Sequence, residues 1–147
     1  MTHPYALQFD AVALGDLARI RAFVRESALE LGLAPDAADD VVLAVDEAVT
    51  NAIRHGYTGG AGPLALELGR RGSELLVRLV DEAPVFDPTR RPAPDVDLPL
   101  ASRPLGGMGI HLMHASVDRM SHRSRGRSGN DLTFVKRVAA GEGRDRS

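Results

Sequence analysis

Two polar side chains on an otherwise apolar helical segment are the residues of this chain best placed to do chemistry. Glu47 and Asn51 are four residues apart, so on a helix they lie one turn apart on the same face. A carboxylate and an amide at this spacing can hold a hydrated magnesium ion or direct a nucleophile at a phosphate. A solvated helix face can contain the same pair. Further residues must therefore decide between the two interpretations.

A third polar residue ends a predicted strand. Asp81 follows the alternating run from Leu75 to Val80. Inside a pocket, a carboxylate in this position can accept a hydrogen bond from an exocyclic amine, which would distinguish adenine from guanine at that edge. An aspartate that merely ends a strand in a turn would give the same sequence. Both interpretations stay open from the residues alone.

A glycine-rich stretch opens the last predicted helix, with Gly106, Gly107 and Gly109 close together. Glycines allow close approach of the backbone, and a helix N-terminus presents free N–H groups to phosphate. The stretch is not a Rossmann fingerprint, because Leu112 stands at the third glycine position and no strand directly precedes it. It is not a Walker A loop either, because no Gly-Lys-Ser/Thr follows. The alternative is a flexible entry into the helix.

Two groups of basic side chains carry less information. His111 and His114 are three residues apart, but no third ligand stands at a recognisable spacing, so we interpret them as ordinary helix residues. A second group clusters near the C-terminus and is interpreted as a solvated hairpin. Its members are Arg119, His122, Arg123, Arg125 and Arg127.

The elements that must position these residues follow from periodicity and turn signals. We predict strands over residues 5–12, 64–68, 75–80, 118–125 and 131–138, and helices over 15–32, 35–56 and 107–117. Six prolines between residues 83 and 106 predict a long irregular segment, of the kind that forms functional lids or is disordered. Strands outnumber crossover helices. The pattern therefore predicts an α+β fold, a two-layer α/β sandwich with a mostly antiparallel sheet and helices on one face.

The composition is that of one globular domain. The chain has 147 residues, of which 44% are hydrophobic and 26% charged, and its net charge of −2 argues against direct nucleic-acid binding. The chain has no cysteine, which excludes disulfides and fits a reducing cytoplasm. No signal peptide and no apolar stretch of about 20 residues is visible. We expect a cytoplasmic protein without a membrane segment, with a domain over residues 1–140 and a frayed tail over 141–147.

The three motifs, in this order, resemble those of the GHKL ATPase superfamily, and within it those of the small anti-sigma-factor serine/threonine kinases. The resemblance covers about residues 7–138. The segment from Glu47 to Tyr57 is similar to the N box, and the segments 81–88 and 105–112 are similar to the next box and the glycine-rich box. Residues 130–136 resemble the closing strand. The resemblance implies a histidine kinase-like ATPase domain with the Bergerat-type ATP-binding fold.

The resemblance also implies ATP and Mg²⁺ as cofactors, with a role for each matching residue. Asn51 would ligate the Mg²⁺ that bridges the phosphates, and Glu47 would be the general base on the attacking hydroxyl. Asp81 would bind the adenine amine, with Ala83 beside it, and Thr133 would reach the adenine side of the pocket. The lid around the phosphates would contain Gly106, Gly107 and Gly109. Phosphoryl transfer needs mainly positioning and charge neutralisation, which such groups supply.

Ala83, Pro84 and Val85 depart from the family pattern, and the role of Arg103 is a separate question. Ala83 stands where the family usually carries a glycine, and its added methyl could crowd the adenine or its bridging water. Val85, with its neighbour Pro84, replaces another flexible stretch. Arg103 is the nearest candidate for a basic residue that contacts the terminal phosphate, although two residues separate it from the glycines.

The function implied by the resemblance is an ATP-dependent protein serine/threonine kinase that acts as an anti-sigma regulatory factor. It would phosphorylate an anti-anti-sigma partner of the STAS type and sequester a sigma factor, and a homodimer is also expected. The alternative is a partner-binding module of the same fold that holds nucleotide, or none, without catalysing transfer. Ala83 and Val85 favour this alternative. The catalytic half of a histidine kinase is a weaker interpretation, because we expect no dimerisation helix with a phospho-accepting histidine ahead of the domain.

Overall fold

The computed structural model describes residues 5–58, 60–90 and 107–139. Within them, five strands form one sheet of order β1-β2-β3-β5-β4, and each neighbouring pair is antiparallel. The strands are β1 (Tyr5–Val12), β2 (Gly62–Arg71), β3 (Glu74–Pro84), β4 (Arg119–Ser124) and β5 (Ser128–Arg137). The α-helices are α1 (Leu17–Glu30), α2 (Pro35–Asn51) and α3 (Gly107–Ser116). The predicted α+β fold with an antiparallel sheet is confirmed.

The two faces of the sheet differ because side chains alternate along each strand. The inner face of the β2–β3 hairpin is apolar, and its side chains are at most 3% exposed: Leu64, Leu66, Leu68, Leu75, Val77 and Leu79. On the outer face, Arg78 of β3 donates two hydrogen bonds to Asp131 of β5 and forms an ion pair with Glu67 of β2. The inner face therefore packs against the helices, and the outer face carries charge.

α2 is the central helix of the helical layer, with α1 and α3 packed against it. Pro35 occupies its first turn, where the missing N–H has no intrahelical partner to lose. The apolar stripe of the helix is buried to 1% exposure or less, in Ala38, Val41, Ala44, Val45 and Val49. This packing leaves Glu47 and Asn51 at the half-buried edge of the helix.

Several strand ends lie beyond their predicted positions, and two of these bear on the site. β3 runs to Pro84, past the predicted start of the irregular segment at residue 83, because Pro84 pairs with Ser128 after a shift in register. β5 begins at Ser128, so the turn predicted over residues 126–130 is shorter and Asn130 belongs to the strand. Both of these ends are determined by the pairing of β3 with β5. This pairing cannot be read from the sequence of either strand alone.

Candidate functional site

A cavity of about 240 Å³ lies between the end of α2 and the inner face of the sheet. Most of its wall is apolar and comes from all layers of the fold, including Ala48, Ala52, Leu64, Leu79, Met113 and Leu132. A few polar side chains converge on it, namely Asn51, His55, Asp81, His122 and Asn130. An apolar cleft with a few well-placed polar groups is the usual form of a small-molecule site, although this cavity is slightly smaller than the roughly 300 Å³ at which such sites begin.

On the side of the cavity formed by α2, called here the α2 end, the polar edge of the helix approaches the first turn of α3. Asn51 lines the cavity, and a Cβ atom placed on Gly109 would lie 2.7 Å from Glu47 Oε1. Burial and the neighbouring charge of Asp46 raise the pKa of Glu47. Among the described residues, neither the Glu47 carboxylate nor the Asn51 amide has a side-chain hydrogen-bond partner.

The last turn of this helix widens into a π-helix. Over Ala52–Gly56 the chain takes π geometry, and the Tyr57 N–H donates to the Ala52 carbonyl at 2.7 Å. The sequence predicted a helix as far as Gly56, but its periodicity did not show this change of winding. The wider turn brings His55 and Gly56 to the cavity wall. Short π segments inside helices are frequent at functional sites.

Tyr57 fixes the position of this turn against the sheet. Its hydroxyl donates to the Pro63 carbonyl at 2.7 Å and accepts from the Glu82 N–H at 2.8 Å. A Cβ atom on Gly62 would lie 2.4 Å from the tyrosine ring, so the ring packs directly on glycine backbone. Burial is the main cause that raises the pKa of Tyr57. The tyrosine thereby ties the end of the π turn to both β2 and β3.

On the side of the cavity formed by β3, called here the Asp81 end, Asp81 is held by two N–H donors. Its Oδ1 accepts from the backbone N–H of Ala83 at 3.0 Å and from Asn130 Nδ2 at 2.9 Å. Burial raises the pKa of Asp81, while these two hydrogen bonds and the nearby His122 act to lower it. The carboxylate thus has one oxygen engaged by the protein while the residue lines the cavity.

Asn130 connects Asp81 to the segment that follows β3. Its Oδ1 accepts from the Phe86 N–H at 2.9 Å and lies 2.7 Å from His122 Nε2. The other ring nitrogen of His122 is 3.7 Å from Asp87 Oδ2, and the histidine side chain is only 5% exposed. Asp87 in turn accepts hydrogen bonds from Thr89. These contacts form a continuous polar network at this end of the cavity.

Sequence reasoning missed Asn130 and His122 as site residues. Asn130 lies directly opposite Asp81 in the β3–β5 pairing, so the register of the closing strand was the signal that could have identified it. His122 was grouped with a solvated basic hairpin. The arginines of that group are exposed, but His122 faces inward because it alternates with Ser121 and Arg123 on β4. The solvated interpretation was therefore wrong for the histidine side chain.

Ala83 is buried, with 2% exposure, and lines the cavity beside Asp81. A Cβ atom on Gly56 would lie 2.6 Å from the Ala83 Cβ atom, so the alanine methyl packs into the space that the glycine leaves. Gly56, at the end of the π turn, therefore leaves room for the methyl group of Ala83 on β3.

Thr133 is not brought to this cavity. It pairs with Arg78 and Ser121 across the sheet, and its neighbour Leu132 lines the cavity. Because successive side chains point to opposite faces, the threonine belongs to the outer face. This corrects the expectation that Thr133 reaches the adenine side: the inward-facing polar residue at this end of β5 is Asn130.

The predicted glycine-rich lid is described only in part. Gly107 begins α3, and Gly109 lies in its first turn against Glu47. Gly106 and Arg103 lie outside the described residues. His114 of the same helix is 3.1 Å from the Pro88 carbonyl through its Nε2. This contact ties α3 to the 3₁₀ turn Pro88–Arg90.

No group of three or more histidine and carboxylate side chains suited to a metal ion occurs in the described part of the chain. A protein cage is not what Mg²⁺ requires, because it usually keeps several waters and takes one or two protein oxygens together with substrate phosphates. The Asn51 amide fits that limited role.

The structure also has no helix, within residues 5–58, 60–90 and 107–139, that is long and apolar enough to cross a bilayer.

The fold and site belong to a known class. The sequence pattern of the histidine kinase-like ATPase domain matches residues 11–136, so the chain belongs to that family. It is 29% identical over 106 residues to the serine-protein kinase RsbW of Bacillus thuringiensis, covering 69% of this chain and 66% of that protein. It is also 29% identical over 126 residues to the anti-sigma F factor of Clostridium acetobutylicum, covering 81% and 83%. The chain thus spans just under two thirds of the length of the RsbW relative.

A solved structure shares the fold. A chain in the crystal structure of the SiaB–SiaC complex from Pseudomonas aeruginosa superimposes with a TM-score of 0.62, over 88% of both chains, at 15% identity. The likeness in fold agrees with the family assignment.

Proposed function

We propose that this protein binds ATP with Mg²⁺ in the cavity and transfers the γ-phosphoryl group to a serine or threonine hydroxyl of a partner protein. The observation that carries the proposal is that Asn51 and Asp81, two hydrogen-bonding groups on different elements, line one cavity. The Asn51 amide, with Glu47 one turn away on α2, has no side-chain hydrogen-bond partner among the described residues, and Asp81 lines the cavity from β3. The family and the named relatives support the same assignment.

In this proposal the base lies at the Asp81 end and the phosphates extend toward α3. Asp81 accepts a hydrogen bond from the exocyclic amine of adenine, and the apolar wall contacts the faces of the ring. The first turn of α3, which begins at Gly107, supplies free backbone N–H groups on the side of the phosphates.

Asn51 would hold Mg²⁺, which neutralises phosphate charge when bound. Glu47 would act as the general base that takes the proton of the attacking hydroxyl. Its raised pKa, caused first by burial, brings its basicity closer to neutral pH, which suits a general base. Transfer then consists of attack by the partner's hydroxyl oxygen on the γ-phosphorus, with loss of that proton to Glu47 and departure of ADP.

The substrate that we propose is an anti-anti-sigma protein of the STAS type, with a sigma factor as the second partner and a homodimer as the working form. The anti-sigma F factor relative supports a role in sigma-factor control, and the serine-protein kinase RsbW supports transfer to a serine. The alternative is a non-catalytic module of the same fold that binds its partner with or without nucleotide. Ala83 favours that alternative, because its methyl occupies part of the region beside Asp81.

The proposed function is tested by transfer of label from γ-³²P-ATP to STAS-type partner proteins. We expect the parent protein to label a serine or threonine, and Glu47→Gln to lower the rate about 10²- to 10⁴-fold, the usual contribution of a general base. The matched control is Glu82→Gln, which makes the same chemical change at an exposed site next to Asp81. Equal rates for Glu47→Gln and the parent would contradict the assignment of Glu47. ATP binding without labelling of any such partner would favour the non-catalytic alternative.

A further inference from the structure

The Asn130 side chain is buried and saturated with hydrogen bonds. It is 7% exposed, and its Oδ1 accepts from the Phe86 N–H at 2.9 Å. Its Nδ2 donates to Asp81 Oδ1 at 2.9 Å, to the Pro84 carbonyl at 3.2 Å and to the Ala83 carbonyl at 3.4 Å. An amide with this set of contacts has no remaining capacity to bind a ligand directly. Any influence of Asn130 on a ligand acts through the groups that it holds, and among these Asp81 is the one whose side chain can accept a hydrogen bond from a ligand.

The orientation of this amide follows from its partners. A backbone N–H can only donate, so the atom that meets the Phe86 N–H must be the amide oxygen. The same oxygen lies 2.7 Å from His122 Nε2, so that ring nitrogen must carry a hydrogen and donate it. The NH₂ group is thereby directed at Asp81. The histidine and the backbone together hold the amide in one of its two possible orientations.

This orientation determines what Asp81 can present to the cavity. Oδ1 receives two N–H donors, from Asn130 and from Ala83, and can act there only as an acceptor. Among the described residues, no side-chain donor forms a hydrogen bond with Oδ2. The aspartate therefore offers the cavity an acceptor, which matches an N–H group of a ligand and opposes a carbonyl oxygen.

We propose that Asn130, held by His122, is a positioning residue that sets the base selectivity of the site by keeping Asp81 a hydrogen-bond acceptor. With Asn130 in place, the cavity takes a purine that carries an amino group at its six position and rejects one that carries a carbonyl there. The inference rests on the proposed binding of ATP.

Removal of the Asn130 donor would weaken this discrimination. Burial already raises the pKa of Asp81, and the hydrogen bond from Asn130 is the first of the contacts that oppose this effect. Without that contact, the carboxyl group is more readily protonated and can itself donate to a carbonyl oxygen. Selectivity would fall because ATP is bound less well and because its carbonyl analogue is bound better.

The test is competition of unlabelled ATP and inosine triphosphate against a fluorescent ATP analogue. Inosine triphosphate carries a carbonyl oxygen in place of the amino group. The matched variants are Asn130→Thr and Asn130→Val, which have nearly the same shape, but only threonine has a hydroxyl that can donate to Asp81. We expect the ratio of the two affinities to fall at least tenfold in Asn130→Val and to stay within about threefold of the parent in Asn130→Thr.

The outcomes separate this inference from the proposed function. Absence of ATP binding by the folded parent protein would overturn the proposed function and this inference with it. Binding by the parent with an unchanged affinity ratio in Asn130→Val would overturn the inference alone. An equal fall in both variants would also overturn it, because the loss would then follow from the size of the side chain.

A second pair at the neighbouring position covers the case in which the Asn130 variants do not fold. His122→Gln keeps a side-chain donor for Asn130 Oδ1, whereas His122→Met, of similar length, has none. We expect the affinity ratio to fall about threefold in His122→Met and to remain at the parent value in His122→Gln. Identical ratios in these two variants would contradict the positioning role.

Discussion

The two ends of the cavity are built in opposite ways. At the Asp81 end, a buried network runs from the aspartate through Asn130 and His122 toward Asp87, and both polar atoms of the Asn130 amide have protein partners. At the α2 end, Glu47 and Asn51 have none among the described residues. The first arrangement is pre-organised before any ligand arrives, and the second leaves its polar groups to be satisfied by the ligand. We therefore expect the site to separate recognition of one chemical group from the positioning of another.

The largest effect on binding is expected from changing the pre-organised end. Asp81→Asn keeps the shape of the side chain but can turn its NH₂ group toward the cavity, where it would oppose the exocyclic amine of adenine. We expect ATP affinity to fall about 10- to 100-fold, the range of a hydrogen bond to a charged group. Calorimetric titration measures the change, with exposed Glu82→Gln as the control. An affinity within twofold of the parent would show that Asp81 does not contact the base.

A smaller and different effect is expected at the other end from Gly109→Ala. The added Cβ atom would lie 2.7 Å from Glu47 Oε1, so the carboxylate must move. Because a displaced catalytic group loses rate without losing substrate, we expect phosphoryl transfer to slow about tenfold while ATP affinity changes by less than about threefold.

The control for this substitution is Gly15→Ala, where an added Cβ atom meets nothing within 4 Å. Alanine is also favoured over glycine inside a helix, so the Gly109 variant should not melt at a lower temperature for lack of helix propensity. A parallel loss of affinity and rate in Gly109→Ala would contradict the separation of the two ends.

Sequence reasoning identified one end of the cavity better than the other, for a physical reason. Glu47 and Asn51 are neighbours on a single helix, and Asp81 follows the alternating apolar run of a single strand, so local periodicity was enough to select them. The hydrogen bond from Asn130 to Asp81 depends on the register between β3 and β5, and the two residues are 49 positions apart in the sequence. Assigning the contact to Thr133 missed this register, and in a strand even a one-residue error moves a side chain to the other face.

The winding at the end of α2 was also beyond prediction from the local sequence. The sequence predicted a helix to Gly56, and the chain is helical there, but the change to π winding reflects contacts with the sheet. Tyr57 bonds to β2 and β3, and Ala83 packs against Gly56. These contacts are between elements distant in sequence, so a helical pattern alone could not indicate them.

The smallest effect is expected outside the cavity, on the outer face of the sheet. Arg78 lowers the pKa of Asp131 through two hydrogen bonds. Because this pKa is lower in the folded than in the unfolded state, the pair stabilises the fold above the unfolded-state pKa, and the stabilisation is lost as the pH falls through the folded-state value.

We expect Asp131→Asn to lower the free energy of unfolding at pH 7 by about 0.5–1 kcal/mol, since the pair is partly exposed. The difference should shrink as the pH is lowered below 4, and ATP affinity should not change. Urea unfolding at several pH values measures the first quantity and calorimetry the second. A loss of ATP affinity in this variant would show that the outer face is coupled to the cavity.

The central claim is that one cavity combines a pre-organised base end with an end that is completed by phosphate and Mg²⁺. It is tested most directly by calorimetric titration of the parent protein and Asn51→Ala with adenosine and with ATP, each with and without Mg²⁺. We predict that adenosine binds the two proteins equally and independently of Mg²⁺, whereas ATP gains affinity from Mg²⁺ in the parent and loses that gain in Asn51→Ala. An Mg²⁺-dependent gain of the same size in Asn51→Ala, or no binding of either compound to the parent, would contradict the claim.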